Sequence, residues 1–454
     1  MLSRYDEGGS VARMEKILTE ISALIWDKYL IVALLGVGAY YTVTTRFVQV
    51  RYLPTAFKQM LDGIRHREHA EGGEGTLTSF QALTNALASC VGNGNIVGVA
   101  TAVAAGGPGA VFWMWMTGLV GMATKYSEIV LGILYREKNY KGEYVGGPMY
   151  YISKGMRLPW LGTFFAICMF LQICGGGLIQ SNALSSVLHY TFNIPTALIG
   201  IVLIVFVFSV VAGGLKRLGR VTERLVPFMA IMYLVGSFIV ALTYWRALPS
   251  VFTLIFYDAF HPQSAVGGFL GAGIKEAMRF GIARGLYSNE AGEGSAPVLH
   301  SSARVKDAHT QGLMGIIEVF IDTIVICSAS AVTIIVTQVF MQPISPAVFI
   351  LSAFEGVNYY MRYIVFCSII LFAYSTIISQ WYFGNVALSY LGATKLAEYF
   401  KYFFMIIIFV GCILSIKIVW LLQDVILGVM IIPNLLALLW LRKDVLTELR
   451  RAES

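Results

Sequence analysis

The sequence predicts an all-α membrane protein with eleven transmembrane helices: one peripheral helix and two sets of five that form an inverted repeat. Three observations predict this fold. Of the 454 residues, 57% are hydrophobic and only 13% are Asp, Glu, Lys or Arg, whereas soluble domains carry about 25% charged residues. Apolar runs of bilayer-spanning length recur along the chain, and basic residues gather in alternate loops. These features argue against a soluble enzyme, a disordered chain and a nucleic-acid-binding protein.

The predicted spans are apolar segments separated by polar ones. The first is the weakest because Asp27 and Lys28 interrupt it, and the last two come from one apolar run that is divided near Lys417 and Asp424. A spanning helix needs roughly 17–25 mostly apolar residues. The spans lie near residues 21–44, 79–103, 110–134, 159–190, 195–213, 224–245, 265–290, 311–340, 363–390, 402–418 and 421–441.

The basic residues predict the orientation. The 33 Lys and Arg residues exceed the 26 Asp and Glu residues and leave a net charge of +7; most of them fall in the odd-numbered loops and the C-terminal tail. Because cytoplasmic loops collect Lys and Arg, we expect the N-terminus outside and the C-terminus in the cytoplasm. No cleavable signal peptide is evident, so the sequence predicts a multi-pass protein of the cell (inner) membrane.

An odd number of spans indicates how the chain is organised. Residues 1–78 would form an outer N-terminal tail, the peripheral helix and a cytoplasmic basic loop. Residues 79–245 would form a first five-helix repeat, and residues 246–454 a second one with the C-terminal tail. Because five is odd, the second set starts on the opposite side of the membrane, which produces an inverted repeat.

Glycine interrupts the first predicted helix of each repeat. The first contains Gly92-Asn93-Gly94-Asn95, and the second contains Gly281 and Gly285. Unwound backbone survives in a bilayer only where it is buried in protein or lines a watery cavity. Its free N–H groups suit a carboxylate, and its free carbonyls suit a small cation. We therefore expect two discontinuous helices that hold an amino acid and sodium, although glycines also serve close helix packing.

Other intramembrane polar residues are candidates for the site or for structural contacts. Gln180 is a candidate substrate contact. Ser375 and Thr376 are adjacent hydroxyls that could coordinate a cation or hydrogen-bond to a carbonyl one turn earlier. Lys125 and Glu128 have the i,i+3 spacing of a helix ion pair.

Several chemistries find no support in the sequence. The six cysteines lie inside apolar stretches without a CxxC pair, so we expect reduced packing residues. The motifs HExxH, GxSxG, GxGxxG and Walker A are absent. We therefore expect no enzyme activity, no organic cofactor and no metal apart from a coupling sodium ion.

Several blocks resemble signatures of the alanine/glycine:cation symporter family, and the matches run in order from about Phe80 to Pro433. The resemblance implies the leucine-transporter fold and sodium-coupled transport of small neutral amino acids. The blocks are GGPGAVFWMW at 106–115, GPMYY at 147–151, SNEAG at 288–292, GSAP at 294–297, FIDTIV at 320–325 and FAYST at 372–376.

The resemblance also implies roles for particular residues. Backbone N–H groups at the first break would hold the substrate carboxylate, and carbonyls before it would bind sodium together with hydroxyls from a facing helix. The substrate-binding residues would be Gly92, Asn93, Gly94, Gln180, Phe280, Gly281, Ile282 and Gln380. The sodium ligands would be Ala88, Val91, Phe372, Ser375 and Thr376. A second cation site, if present, would involve Cys90 and Asn95.

The chain departs from the family pattern at two positions. Asn93 stands where a threonine is expected, and Gln380 where a tryptophan is expected. The preferred amino acid therefore stays open, as do its stereochemistry and the oligomeric state. We expect import of a small neutral amino acid, driven by sodium, through alternating access. A proton-coupled transporter of the same fold would work in sodium-free buffer. A non-transporting membrane sensor is the other alternative, against which the lack of an appended soluble domain argues.

Overall fold

The computed structural model describes residues 7–65, 73–261, 273–414 and 417–454, and these residues are predominantly helical. Up to residue 261 the α-helices are α1 (Glu7–Leu24), α2 (Ile31–Thr44), α3 (Val48–Arg51), α4 (Leu53–Arg65), α5 (Ser79–Cys90), α6 (Val99–Gly106), α7 (Ala110–Leu134), α8 (Pro148–Lys154), α9 (Pro159–Phe192), α10 (Thr196–Val211), α11 (Gly214–Thr243) and α12 (Leu248–Asp258).

The remaining α-helices are α13 (Ile274–Asn289), α14 (Ala296–His300), α15 (Ala308–Val319), α16 (Ser328–Val336), α17 (Phe349–Glu355), α18 (Arg362–Tyr390), α19 (Thr394–Ile413), α20 (Lys417–Trp440) and α21 (Arg442–Glu453). Three π-helical segments lead into α2, α6 and α16, at Ile25–Leu30, Gly94–Gly98 and Phe320–Cys327. Short 3₁₀ turns lie at Trp245–Ala247, Val339–Met341, Pro346–Val348 and Tyr359–Met361. Strands β1 (Glu137–Lys138) and β2 (Tyr144–Val145) pair antiparallel in the loop after α7.

The helices identify a multi-pass membrane protein. Each of the eleven predicted spans overlaps a helix, although the start of the span at 265–290 lies outside the described residues. Within the described ranges, six helices are long and apolar enough to cross a bilayer, and α5 with α6 makes a seventh if the bent pair counts as one span. Large apolar side chains such as Val205, Phe228 and Phe238 are exposed on α10 and α11, as expected of lipid-facing surfaces. The count of eleven spans stays a prediction.

The weakest predicted span is part of a continuous helical segment made of α1, the π-helical turn and α2. This segment lies along α20. The indole Nε1 of Trp26 donates to the carbonyl of Asp424 at 3.0 Å, and the hydroxyl of Tyr41 donates to the carbonyl of Leu438 at 2.6 Å. These bonds fix the segment against α20.

The first predicted break is confirmed, because α5 and α6 are bent by 54° around Gly92. The second break was predicted at the wrong glycines. Helix α13 runs without interruption through Gly281 and Gly285. A Cβ on Gly281 would lie 2.1 Å from the carbonyl oxygen of Ala110, and one on Gly285 would lie 2.1 Å from the hydroxyl of Thr117. Both glycines therefore allow α13 to pack closely on α7.

The helix that begins with α13 is interrupted later, at residues 290–295. Glu290 adopts the left-handed conformation with φ 53°, and Gly292 and Gly294 have φ values of 95° and 81°. Helix α14 then begins at Ala296 with Pro297 in its first turn, a favourable position for proline. The break expected at Phe280, Gly281 and Ile282 is therefore wrong in position, because these residues lie inside α13; their contact with the substrate stays a prediction.

Candidate functional site

Helix α5 ends in a backbone arrangement that frees two carbonyls. After Cys90, Val91 is extended, with φ −74° and ψ 96°. The N–H of Gly92 donates to the side-chain oxygen of Asn95 at 2.9 Å, and the N–H of Asn95 donates to the carbonyl of Gly92 at 3.2 Å. In an unbroken helix these two N–H groups would serve the carbonyls of Ala88 and Val91. The carbonyls predicted to bind sodium therefore lose their helical donors.

The substrate candidates at the break lie beside one another. The side-chain Nδ2 of Asn93 donates to Oε1 of Gln180 on α9 at 3.3 Å. A Cβ on Gly94 would lie 3.6 Å from the ring of Tyr287 and 3.8 Å from Cα of Ser288, both on α13. The structure thus brings α5, α6, α9 and α13 together around residues 92–94.

The hydroxyl pair on α18 approaches the same break. Ser375 is fully buried and Thr376 is nearly so. Both hydroxyls donate to the carbonyl of Phe372, at 2.9 Å and 3.0 Å. A Cβ on Gly92 would lie 3.1 Å from Oγ1 of Thr376, so this hydroxyl contacts the first break. The back-bonding interpretation of the pair is correct, and it leaves lone pairs on both oxygens for a cation.

Gln380 lies one turn further along α18. It packs on α9, where a Cβ on Gly176 would lie 2.8 Å from its Nε2. Its Oε1 is buried and accepts no hydrogen bond within the described ranges. Buried polar atoms are seldom left without a partner, so this oxygen is available to a ligand.

Asn95 connects the two interrupted helices. Its Nδ2 donates to Oδ1 of Asp322 at 2.6 Å and to the hydroxyl of Ser288 at 3.0 Å. The hydroxyls of Ser288 and Thr323 in turn donate to the other oxygen of Asp322, at 2.9 Å and 2.8 Å. Asp322 lies in the π-helical segment between α15 and α16, and π-helical turns are frequent at functional sites. Sequence reasoning did not include Ser288 or Asp322 among the site residues, although both belong to family-like blocks.

A small cavity lies next to the second break. It has a volume of about 20 Å³, which is room for one water-sized group. Sequence reasoning gave no role to its two carboxylates, Glu290 and Glu293. The lining residues are Ser89, Met169, Gln172, Ile173, Glu290, Glu293, Ser295, Gln380, Phe383 and Met430.

The buried charges pair differently from the sequence prediction. Nζ of Lys125 lies 3.1 Å from a carboxylate oxygen of Glu318, whose other oxygen is 3.1 Å from Nε2 of His300. Glu128 instead accepts hydrogen bonds from the side chain of Asn434 at 2.6 Å and from the N–H of Gly294 at 3.0 Å. The predicted Lys125–Glu128 ion pair is replaced by contacts between helices.

Comparison with known proteins points to a family of membrane transporters. A sequence profile of the sodium:alanine symporter family matches residues 11–453. An uncharacterized transporter of Bacillus subtilis is 40% identical over 95% of this chain and 93% of its own length. A sodium/alanine symporter of Methanococcus maripaludis is 35% identical over 95% of this chain and 96% of its own length.

Among solved structures, a mutant of the Eremococcus coleocola manganese transporter superposes with a TM-score of 0.52. The two are 14% identical, and the superposition covers 79% of this chain and 75% of that protein. At this identity the likeness concerns the fold alone.

Proposed function

The chain belongs to the sodium:alanine symporter family, and we propose that it uses a sodium gradient to import a small neutral amino acid, alanine or a close analogue. The membership confirms the family resemblance seen in the sequence and makes the chain an amino-acid transporter. One observation carries the finer proposal. The helix α5–α6 is broken at Gly92 in such a way that free backbone groups and the hydroxyl of Thr376 meet at one point.

We propose that the substrate carboxylate binds the N–H groups of Asn93 and Gly94. These groups lie at the start of the helical segment that continues into α6. A helix N-terminus carries unpaired N–H groups and a partial positive charge, which together attract a carboxylate. Gln180, already in contact with Asn93, would line the pocket. Gln380 would do so with its unpaired Oε1.

We propose that sodium binds between α5 and α18. The carbonyls of Ala88 and Val91 would supply two ligands, since the break removes their helical donors. The hydroxyls of Ser375 and Thr376 would supply two more through their lone pairs, and the carbonyl of Phe372 fixes the orientation of both hydroxyls. Such a site joins two helices, so sodium binding would favour one arrangement of those helices over another.

A second cation site would use the carbonyl of Cys90 and the side-chain oxygen of Asn95. The nearby Asp322 supports this proposal because it adds a carboxylate next to Asn95. The break at 91–93 lies inside the first predicted helix of one set of five, and the break at 290–295 lies at the end of the first predicted helix of the other. This pairing of breaks supports the proposal of an inverted repeat.

Counterflow in proteoliposomes tests the function. Purified protein is reconstituted with unlabelled alanine inside, and entry of labelled alanine is measured with sodium and with choline in its place. We expect entry only with sodium, and competition by the twenty amino acids gives the preferred substrate. Equal entry in choline would show that sodium is not required. If a proton uncoupler then abolishes net uptake of alanine, the protein is a proton-coupled transporter instead. No entry under any condition would leave the sensor alternative.

Topology has a separate test. Single cysteines at Ser10 and at Ser454, in a variant without the native cysteines, are labelled from each side of the membrane. We expect Ser10 to be accessible from outside and Ser454 only from the cytoplasm. Labelling of both from one side would contradict an odd number of spans and therefore the inverted repeat.

A further inference from the structure

We propose that Glu293 and Glu290 form a cation site on the cytoplasmic side of the first break, which takes either a sodium ion or the ammonium group of the substrate during release. The inference rests on the proposed function, which supplies both cations. It assigns roles to two carboxylates that neither the proposed sodium ligands nor the proposed substrate contacts use.

The cavity is built for one small group. Its volume of about 20 Å³ admits one water-sized occupant, which fits a sodium ion or an ammonium head but not a whole amino acid. Two carboxylates line it, together with the neutral oxygens of Ser89, Gln172 and Gln380. Carboxylate, amide and hydroxyl oxygens are the ligands that a hard cation prefers.

Two side chains in the cavity wall accept no hydrogen bond from the described residues. Glu293 is 7% exposed, and within the described ranges its carboxylate accepts no hydrogen bond. The buried Oε1 of Gln380 likewise has no partner. Glu290 receives one hydrogen bond, from the hydroxyl of Ser295 at 2.6 Å. Because an unpaired buried acceptor costs free energy, a cation in this cavity would stabilise the oxygen of Gln380, and it would also contact the two carboxylates.

The other buried carboxylates on the neighbouring helices already have donors. Asp322 is held by Asn95, Ser288 and Thr323, and Glu128 by Asn434 and a backbone N–H. Glu318 is paired with Lys125 and His300. The Nζ of Lys125 lies 3.1 Å from Glu318 and, within the described residues, makes no ion pair with Glu290 or Glu293. Within the described residues, the two carboxylates of the cavity therefore have one side-chain donor between them, the hydroxyl of Ser295.

The position of the cavity assigns it to one side of the substrate. Ser89 precedes the break, on the side of Thr78, where α5 begins. Glu290 and Glu293 precede α14, and the chain after α14 binds that same end of α5. The N–H of Leu77 donates to the carbonyl of Ser302 at 3.0 Å. In the predicted topology this end faces the cytoplasm, so a cation leaving the break inward passes the cavity.

The test compares transport from the two faces in right-side-out membrane vesicles. Initial rates of labelled alanine efflux are titrated with internal sodium and with internal alanine, and influx is titrated with the same two external solutes. The variants are Glu293→Gln, which removes the charge, and Glu293→Asp, which keeps it. Glu398→Gln, an exposed glutamate on α19, is the matched control.

For Glu293→Gln we expect an increase of about tenfold or more in one internal half-saturating concentration, equivalent to about 1.4 kcal/mol. A shift in internal sodium identifies a sodium site, and a shift in internal alanine identifies an ammonium site. In either case the external constants stay within twofold, Glu293→Asp recovers most of the change, and the control is unaltered.

Internal constants within twofold of wild type would overturn the proposal, and so would equal shifts on both faces or a shift confined to influx. If Glu293→Gln does not reach the membrane, Glu290→Gln carries the same expectation, because the glutamine oxygen can still accept from Ser295. A wild-type protein without sodium-dependent alanine transport would instead refute the proposed function.

Discussion

Replacing Thr376 with valine tests the sodium site most directly. Valine keeps the branched shape of threonine and removes only the hydroxyl that lies 3.1 Å from the Cβ position of Gly92. We expect half-saturating sodium to rise in uptake assays while the protein stays folded. The reason is that sodium loses one oxygen ligand, whereas the helix loses only a local hydrogen bond.

The two effects differ in size. The hydroxyl donates to Phe372, four residues earlier in the same helix, at 3.0 Å. Such back-bonds stabilise a helix little, so the free energy of unfolding should change by less than about 1 kcal/mol. Hydrogen-bonding oxygens that serve a charged group contribute about 1.5–3 kcal/mol. That range predicts an increase in half-saturating sodium of about tenfold to about one hundredfold.

The assay is uptake of labelled alanine into proteoliposomes across a sodium titration. Ser368→Ala is the matched control, because its buried hydroxyl makes the same kind of back-bond on α18, to Ile364 at 2.7 Å. Thr376→Ser restores the oxygen and should restore the wild-type constant. Because coupled binding is reciprocal, alanine affinity should fall at low sodium and recover at high sodium. A folded Thr376→Val protein with half-saturating sodium within twofold of wild type would refute the reasoning.

Three further changes have expected outcomes. Asn93→Thr removes the amide that contacts α9. It should change the relative affinities for alanine, glycine, serine and larger amino acids in competition assays by about 1–3 kcal/mol. An unaltered ranking would place this side chain outside the pocket. Lys125→Met leaves the carboxylate of Glu318 buried without the lysine and should cost about 3–5 kcal/mol of stability. Adding Glu318→Gln should recover part of this loss. A thermal unfolding temperature in detergent equal to that of wild type would contradict the pairing. Gly281→Ala puts a Cβ 2.1 Å from the carbonyl oxygen of Ala110 on α7 and should lower the unfolding temperature. Gly98→Ala, which has open space around the new Cβ, should not lower it. Equal unfolding temperatures for the two variants would contradict the packing role of Gly281.

The sequence predicts the helices well because the bilayer restricts the choice. Backbone polar groups must be satisfied inside a span, so apolar length alone marks each helix approximately. The first break was predictable for a related reason. Asn93 and Asn95 are two polar amides separated by Gly94 in an apolar run, and such residues are too costly in lipid without a buried partner.

The second break was missed because a glycine alone does not reveal its role. Gly281 and Gly285 are packed tightly against α7 within an intact helix. Gly292 and Gly294 adopt positive φ, which only the structure reveals. The sequence did hold a signal, since Pro297 is favoured in the first turn of a new helix.

The partners of the buried charges lay beyond sequence reasoning for a different reason. Lys125 and Glu128 have helix-pair spacing, yet Lys125 binds Glu318 on α15. The two residues are far apart in the chain, so their contact depends on how α7 and α15 pack. The same holds for Asp322, whose contact with Asn95 brings together groups from two different helices. Composition indicates that such charges need partners, and only the packing identifies them.

Asn95 explains how the two interrupted helices can act together. Its side-chain oxygen caps the N–H of Gly92 at the first break, and its Nδ2 binds Asp322 and Ser288. Ser288 lies two residues before Glu290, where the second break begins. A ligand that alters the backbone at Gly92 therefore acts on a side chain that also holds α13 and the π-helical segment of Asp322. Any rearrangement that separates the two helices must break the hydrogen bonds of Asn95 to Asp322 and Ser288. A ligand bound at the first break would therefore influence the second break through these contacts.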